Sequence, residues 1–215
     1  MIRNLTRRPF LIGTACSLIP LVPATLFANQ DDTVVGKVGR IQASAVAMQN
    51  AMPRVLEKDS EILLGDVIST GPGARLLVKL SDGGELTLGE SAIFVVLEYV
   101  MSMNGNNAAM RLLQGAFQVT TGVLMDTANA SFTIETEQAS IGIRGTTVWG
   151  GSLDHALEVL MLDGKGAYVE TSQGHVELTK AGEGTSVKEV NAIPSAAKVW
   201  GKAKVERAMA TVSFD

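Results

Sequence analysis

From Val34 to Val187 the chain keeps one pattern: short apolar-alternating runs separated by Gly, Asp and Asn. A period of two sends successive side chains to opposite faces, so each run reads as a strand and not as a helix. Leu76, Val78 and Leu80 alternate with Leu77, Lys79 and Ser81; Ser81-Asp82-Gly83-Gly84 turns the chain, and Leu86 and Leu88 resume the alternation. An Asp-Gly turn between two such runs is a strong hairpin signal. Ile93 to Met103 reads as a longer apolar strand closed by Asn104-Gly105-Asn106-Asn107. Leu112 to Val119 and Phe132 to Glu135 follow. Leu157 to Leu162 is apolar at every position but Glu158, and reads as a strand buried on both faces. Asp163-Gly164-Lys165-Gly166 turns it into Ala167–Thr171, and Ser172-Gln173-Gly174 leads on to Thr179.

Strands of this spacing predict an all-β domain: sandwich, barrel or solenoid. Gly83 to Ser91 and Gly174 to Gly182 echo each other as acidic-apolar-threonine strands beside glycine turns, which favours a rolled or solenoid-like domain of short antiparallel strands. The tail changes character. After Pro194, Ser195 is placed to cap a helix running to about Ala210, with Val199, Ala203 and Ala210 among its apolar residues, docked on the sheet. The expected division is an export signal over 1–28, a β domain over 29–192 and a helical tail over 193–215.

The signal is read from Arg3, Arg7 and Arg8, an uncharged apolar run from Phe10 to Phe27, and the small residues Ala24 and Ala28. Thr6-Arg7-Arg8-Pro9-Phe10-Leu11 reads as a twin-arginine signal, with a Sec signal and an uncleaved anchor as alternatives. Gly13, Pro20 and Pro23 weaken the run as a permanent membrane helix. Membrane contact is expected only through this segment if it is uncleaved, and the domain is expected in the periplasm or otherwise exported. Cys16 lacks the aliphatic residue usual three places before a lipidated cysteine, so it reads as a small apolar signal residue. Cleavage after Ala28 leaves 187 of 215 residues, and losing three arginines takes the basic count from 18 to 15 against 22 acidic residues, a formal charge of −7. A nucleic-acid partner wants concentrated positive charge, and no run of Lys or Arg exists, so nucleic acid is excluded.

Little points to chemistry. His155 and His175 lie on separate expected strands or turns, and Asp154-His155 with Glu158 is the nearest approach to a metal set. Asp66 with Glu85, or Glu135 with Glu137, could form a carboxylate pair for glycoside chemistry, but all read better as acidic turns on a solvated surface. No Gly-x-Ser-x-Gly elbow occurs, and Gly71-x-Gly73 lacks the rest of a dinucleotide motif. Met101 and Met103 read as strand packing. No catalytic residue, cofactor or metal is expected.

Three ordered blocks resemble the FecR family of periplasmic domains. The first is Leu64-Gly65-Asp66-Val67-Ile68-Ser69-Thr70-Gly71 with the Asp82-Gly83 hairpin. The second is Phe132 to Thr136 followed by Ile143-Arg144-Gly145-Thr146, and the third is Val159 to Gly166 with Gly174 to Glu183. The resemblance implies a compact all-β domain that works by binding. The family's cytoplasmic sigma-regulator segment is not expected ahead of Arg7 and Arg8, so sigma-factor control is not carried over. Gly65 and Gly71 are expected to take backbone conformations closed to other residues, and Asp66 to bond its own turn. Arg144, in apolar company, is expected to be partly buried and to organise a corner, so that Arg144→Ala would cost about 1–3 kcal/mol. The expected function is an exported, non-catalytic binding or sensing module for an envelope protein or other ligand, contacted through acidic loops or the tail. The alternative is a structural protein joining through sheet edges. An enzyme with an unrecognised carboxylate site comes last.

Overall fold

The computed structural model describes residues 33–102 and 105–215. The segment expected to be an export signal, with Arg7, Arg8 and Cys16, and also Met103, lie outside the described residues. The strands are β1 (Val34–Gln42), β2 (Ala45–Gln49), β3 (Met52–Val55), β4 (Glu61–Leu63), β5 (Val67–Thr70), β6 (Arg75–Leu80), β7 (Glu85–Leu88), β8 (Ile93–Val100) and β9 (Asn107–Gln114). They continue as β10 (Phe117–Thr120), β11 (Ser131–Glu135), β12 (Ser140–Ile143), β13 (Thr146–Gly151), β14 (Leu157–Gly164), β15 (Ala167–Thr171), β16 (Gly174–Leu178), β17 (Glu183–Val187) and β18 (Lys198–Val199). One helix, α1 (Lys202–Ala210), follows.

Two nine-stranded open sheets share these strands. The first runs β4-β1-β6-β7-β10-β13-β14-β17-β18 and the second β3-β2-β5-β8-β9-β11-β12-β15-β16. The chain crosses between the sheets repeatedly, usually leaving a hairpin in each, and advances along both almost in sequence order. The all-β, solenoid-like expectation holds. One junction departs from the antiparallel rule: β9 and β11 pair in parallel. Between them the chain places the single strand β10 in the first sheet, so it returns pointing the way it left.

The period of two explains the core. Leu76, Val78 and Leu80 of β6 and Leu86 and Leu88 of β7 point inward and are buried. Phe94 of β8 meets Phe117 of β10 between the sheets, with ring centroids 6.3 Å apart. Leu157 to Met161 is buried at every position, as expected. Its inner residues join the main core, while Leu160 faces the other way, into a smaller cluster with Trp149, Trp200, Ala208 and Val212.

Three expectations are corrected. The strand from Ile93 stops at Val100, and only Phe94, Val96 and, past a bulge, Tyr99 are buried, leaving Leu97, Val100 and Met101 exposed. The helix starts at Lys202, well beyond Ser195. The Ser195 hydroxyl is instead used laterally, accepting from Ser186 N at 3.0 Å, and Val199, Ala203 and Ala210 are exposed. The docked residues are Ala208, which is buried, and Val205 and Met209, which pack beside it. Finally, Gly65 has φ +86 as expected, but Gly71 does not take a positive φ. At Gly71 the constraint is space, since a Cβ would lie 2.8 Å from Ser44 Oγ.

Candidate functional site

The motif aspartates are structural. Asp66 is fully buried at the turn between β4 and β5; its Oδ2 accepts from Leu63 N at 2.8 Å, and Arg54 Nη2 reaches both carboxylate oxygens at 2.6 and 2.8 Å. The local turn bond follows the expectation, whereas Arg54 is a partner that sequence spacing gave no sign of. Asp82 is buried too. Its Oδ1 accepts from Gly84 N at 3.0 Å, closing the hairpin turn beside Gly83 (φ +83), and its Oδ2 accepts from Leu124 N at 3.2 Å, more than forty residues on. Its own N–H donates to Tyr99 Oη at 3.2 Å. Burial, with the Asp82 carboxylate beside it, pushes the Tyr99 hydroxyl well above its ordinary pKa.

At the Ile143-Arg144-Gly145-Thr146 corner the roles differ from expectation. Gly145 takes φ +62, which its lack of a Cβ permits. Thr146 is the buried organiser: its hydroxyl donates to Gly166 O at 2.8 Å and accepts from Gly166 N at 3.0 Å, tying β13 to the turn after β14. The Arg144 guanidinium is not buried. It lies 5.2 Å from the centre of the Tyr168 ring and 3.7 Å from Glu177 Oε1, exposed to solvent. Tyr168 packs over Gly142, where a Cβ would fall 1.9 Å from the ring. Ser131, Thr133, Arg144 and Tyr168 line a shallow cavity of about 160 Å3 at this place. Arg144→Ala is therefore expected to change stability by no more than about 0.5 kcal/mol. Thr146→Val strands Gly166 N, while Gly166 O keeps its bond from Arg144 N at 2.9 Å, and is expected to cost about 1–3 kcal/mol. Thermal melts of the two variants check the reversal of rank.

The residues nearest to a metal set are used elsewhere. Arg207 Nη2 of α1 donates to Asp154 Oδ1 at 2.6 Å, and Lys204 pairs with the buried Glu158. Glu158 Oε2 also accepts from Asp154 N at 2.9 Å. These carboxylates hold the helix down. His155 sits in the loop before β14 and His175 on β16 of the other sheet. Among the described residues no group of three His, Cys, Asp or Glu converges. Asp66, in the β4–β5 turn, is taken up by Arg54, Glu85 stands exposed on β7, and Glu135 pairs with Arg111 at 2.5 Å.

The hydrogen bond from Arg207 holds Asp154 below the usual carboxylate range, with Lys204 adding to it. A carboxyl depressed by folding stabilises fully above its unfolded pKa, about 3.9, and loses that contribution as pH falls through the lower folded value. Helix docking should loosen below about pH 4, read by Trp149 and Trp200 fluorescence. Arg207→Ala should show weaker docking already at neutral pH and a flatter acid response.

The outer faces of the two sheets contrast. On the first, Trp149 is covered by α1 and by Trp200, at 6.1 Å between ring centroids in an edge-on arrangement. On the second, register puts Val46 beside Val55, Met48 beside Val67 and Val67 beside Val95 on the solvent side. Met48, Val55 and Leu97 are exposed there. The Arg111–Glu135 pair interrupts this apolar end, and the Arg144–Tyr168–Glu177 group lies beyond it on the same face. Sequence reading placed partner contacts on the acidic loops or the helix, and missed this face. The signal was available in Val46 and Met48, apolar on either side of the inward Ala47, and in Val67 beside the inward Ile68.

The FecR protein family model matches residues 66–177, just over half of the chain. This chain belongs to the FecR family. The match opens on Asp66 and closes on Glu177, so it spans the Asp82 hairpin, the Arg144–Thr146 corner and the Tyr168–Glu177 pair of this FecR protein, while α1 follows it. Two crystal structures of a proposed anti-sigma factor from Parabacteroides distasonis, at 2.50 and 1.65 Å resolution, share the fold, each with a TM-score of 0.52 and 18% identity. The alignment covers 65% of this FecR chain and 62% of that protein, so this chain spans less than two thirds of its structural neighbour. No curated protein matches this chain.

Proposed function

We propose that this FecR-family protein is an exported, non-catalytic sensing module of the bacterial cell envelope that acts by protein contact. The observation that carries the reading is the apolar end of the second sheet's outer face, open at Met48, Val55 and Leu97, while the apolar patch on the first sheet's outer face, Trp149 and Leu160, is covered by the chain's own helix. Exposed apolar patches of this kind mark interaction sites. Family membership supports a regulatory role over a catalytic one, and the fold shared with a proposed anti-sigma factor points the same way. Export rests on the Arg7-Arg8 signal and the apolar run behind it.

Assembly through sheet edges is less well supported. The edge strands β4 and β18 have three and two residues, and β3 carries Pro53, which offers no N–H to an incoming strand.

Two measurements test the proposal. Mass spectrometry of the protein from fractionated cells should find a new N-terminus near Asn29 or Thr25 in the periplasmic fraction, and replacing Arg7 and Arg8 by Lys should retain precursor in the cytoplasm. A photo-crosslinker at Met48 should give one discrete protein adduct in living cells, abolished by Leu97→Asp, while one at Gln118 of the first sheet should give none. Cytoplasmic mature protein, or equal crosslinking from both sheets, would overturn it.

A further inference from the structure

A groove of about 420 Å3 opens over β1, on the other sheet from the face just described. Three lysines line it: Lys37 from β1, Lys79 from β6 and Lys58 from the loop before β4. No sequence run announces them, because they come from separate segments. Register sets Lys37 directly opposite Lys79, a like-charge pair that a sheet normally avoids. Lys37 has Glu61 at 3.2 Å, but Lys58 and Lys79 have no carboxylate within ion-pair distance among the described residues. Asp59 is the only acidic residue in the lining; Glu85 stands outside it, across from Lys79 on β7. Gly39 keeps the floor clear, and the Lys79 stem lies across it, with Cγ 3.1 Å from where a Cβ would be. A protein that is acidic overall thus gathers in one concave place positive charge that is unpaired among the described residues.

The same strand shows what such charge can hold. Farther along β1, Arg40 stacks on the Phe214 ring at 4.3 Å and donates to Asp215 O at 3.0 Å. Gln42 donates to Asp215 Oδ2 at 2.9 Å and accepts from Asp215 N at 3.0 Å. Arg75 of β6 donates to Ser213 O at 3.1 Å. The outer side of β1 and β6 therefore already holds the Ser213-Phe214-Asp215 stretch of the chain by its main chain and by the Asp215 carboxylate. The lysine groove is the next stretch of the same two strands.

We infer that the Lys37–Lys58–Lys79 groove is a separate binding site for an extended acidic peptide segment of a partner protein. Aspartate or glutamate side chains of that segment neutralise Lys58 and Lys79 and relieve the Lys37–Lys79 repulsion. The site does not depend on the second-sheet face, so either can fail alone. Binding there is electrostatic and falls with salt.

Fluorescence anisotropy of the purified protein with labelled hexaglutamate tests it, with hexaglutamine as the uncharged control. Hexaglutamate is expected to bind, hexaglutamine not, and affinity should fall at least about tenfold between about 50 and 500 mM salt. Lys79→Glu separates binding from folding. It gives Lys37 an opposite charge but sets a carboxylate across from Glu85, two effects that offset, so the melting temperature should hold while hexaglutamate affinity drops about tenfold or more. A triple Lys37→Gln, Lys58→Gln, Lys79→Gln variant should lose binding altogether. Unchanged affinity in either variant would overturn the site, and displacement of hexaglutamate by millimolar inorganic phosphate would overturn the peptide assignment.

Discussion

Asp82→Ala should be among the most destabilising single substitutions in the chain, at about 2–4 kcal/mol. The carboxylate serves two N–H groups that have no alternative: Gly84 in its own turn and Leu124, which begins the path from β10 to β11. Both bonds are buried, so removing the acceptors leaves donors without water. The loss also weakens the tie between the β6–β7 hairpin and the crossing that brings β11 in parallel to β9, leaving there the main-chain bond from Val123 N to Asp82 O at 3.0 Å. Asp82→Asn keeps one acceptor oxygen and should recover part of the loss. Denaturant melts of both variants give the comparison; an Asp82→Ala protein as stable as wild type would show that other bonds carry this crossing.

Removing residues 200–215 should convert a well-behaved protein into one that associates. The truncation takes away Trp200, Ala208 and Val212 and uncovers Trp149 and Leu160 on the first sheet. It also leaves Glu158 without Lys204. The inner core is untouched, so circular dichroism should keep its β signature. Trp149, then the sole tryptophan, should shift its emission to the red, and size-exclusion chromatography should show oligomers. Cutting earlier, at Pro194, would confuse the result, because Ser195 also bonds Ser186 of β17 and Ala197 packs on the main core. A monomeric truncate with unshifted emission would mean that the tail is not a cover.

Much of the fold is legible in the sequence because period-two alternation and glycine turns are local signals. The Ser81–Gly84 hairpin and the doubly buried Leu157–Met161 strand follow from them directly. What local pattern cannot carry is partnership across distance. Nothing near Asp66 announces Arg54, and nothing near Arg144 reveals that its apolar neighbours turn inward while it alone turns out. The helix boundary failed for a related reason: Ser195 has the chemistry of a cap, yet Ser186 of a neighbouring strand took its hydroxyl first. The lysine groove is the extreme case, assembled from three segments that share no motif.

The near-sequential order of strands in both sheets makes this molecule extensible. Apart from the swaps of β3 with β2 and β4 with β1 at one end, each new segment is laid beside the last one in its sheet. An added hairpin would lengthen the sandwich by roughly 5 Å per strand without re-threading what came before. Reach across a compartment could thus be adjusted by accretion at the β16–β18 end, while the aspartate-pinned turns near the other end keep their geometry.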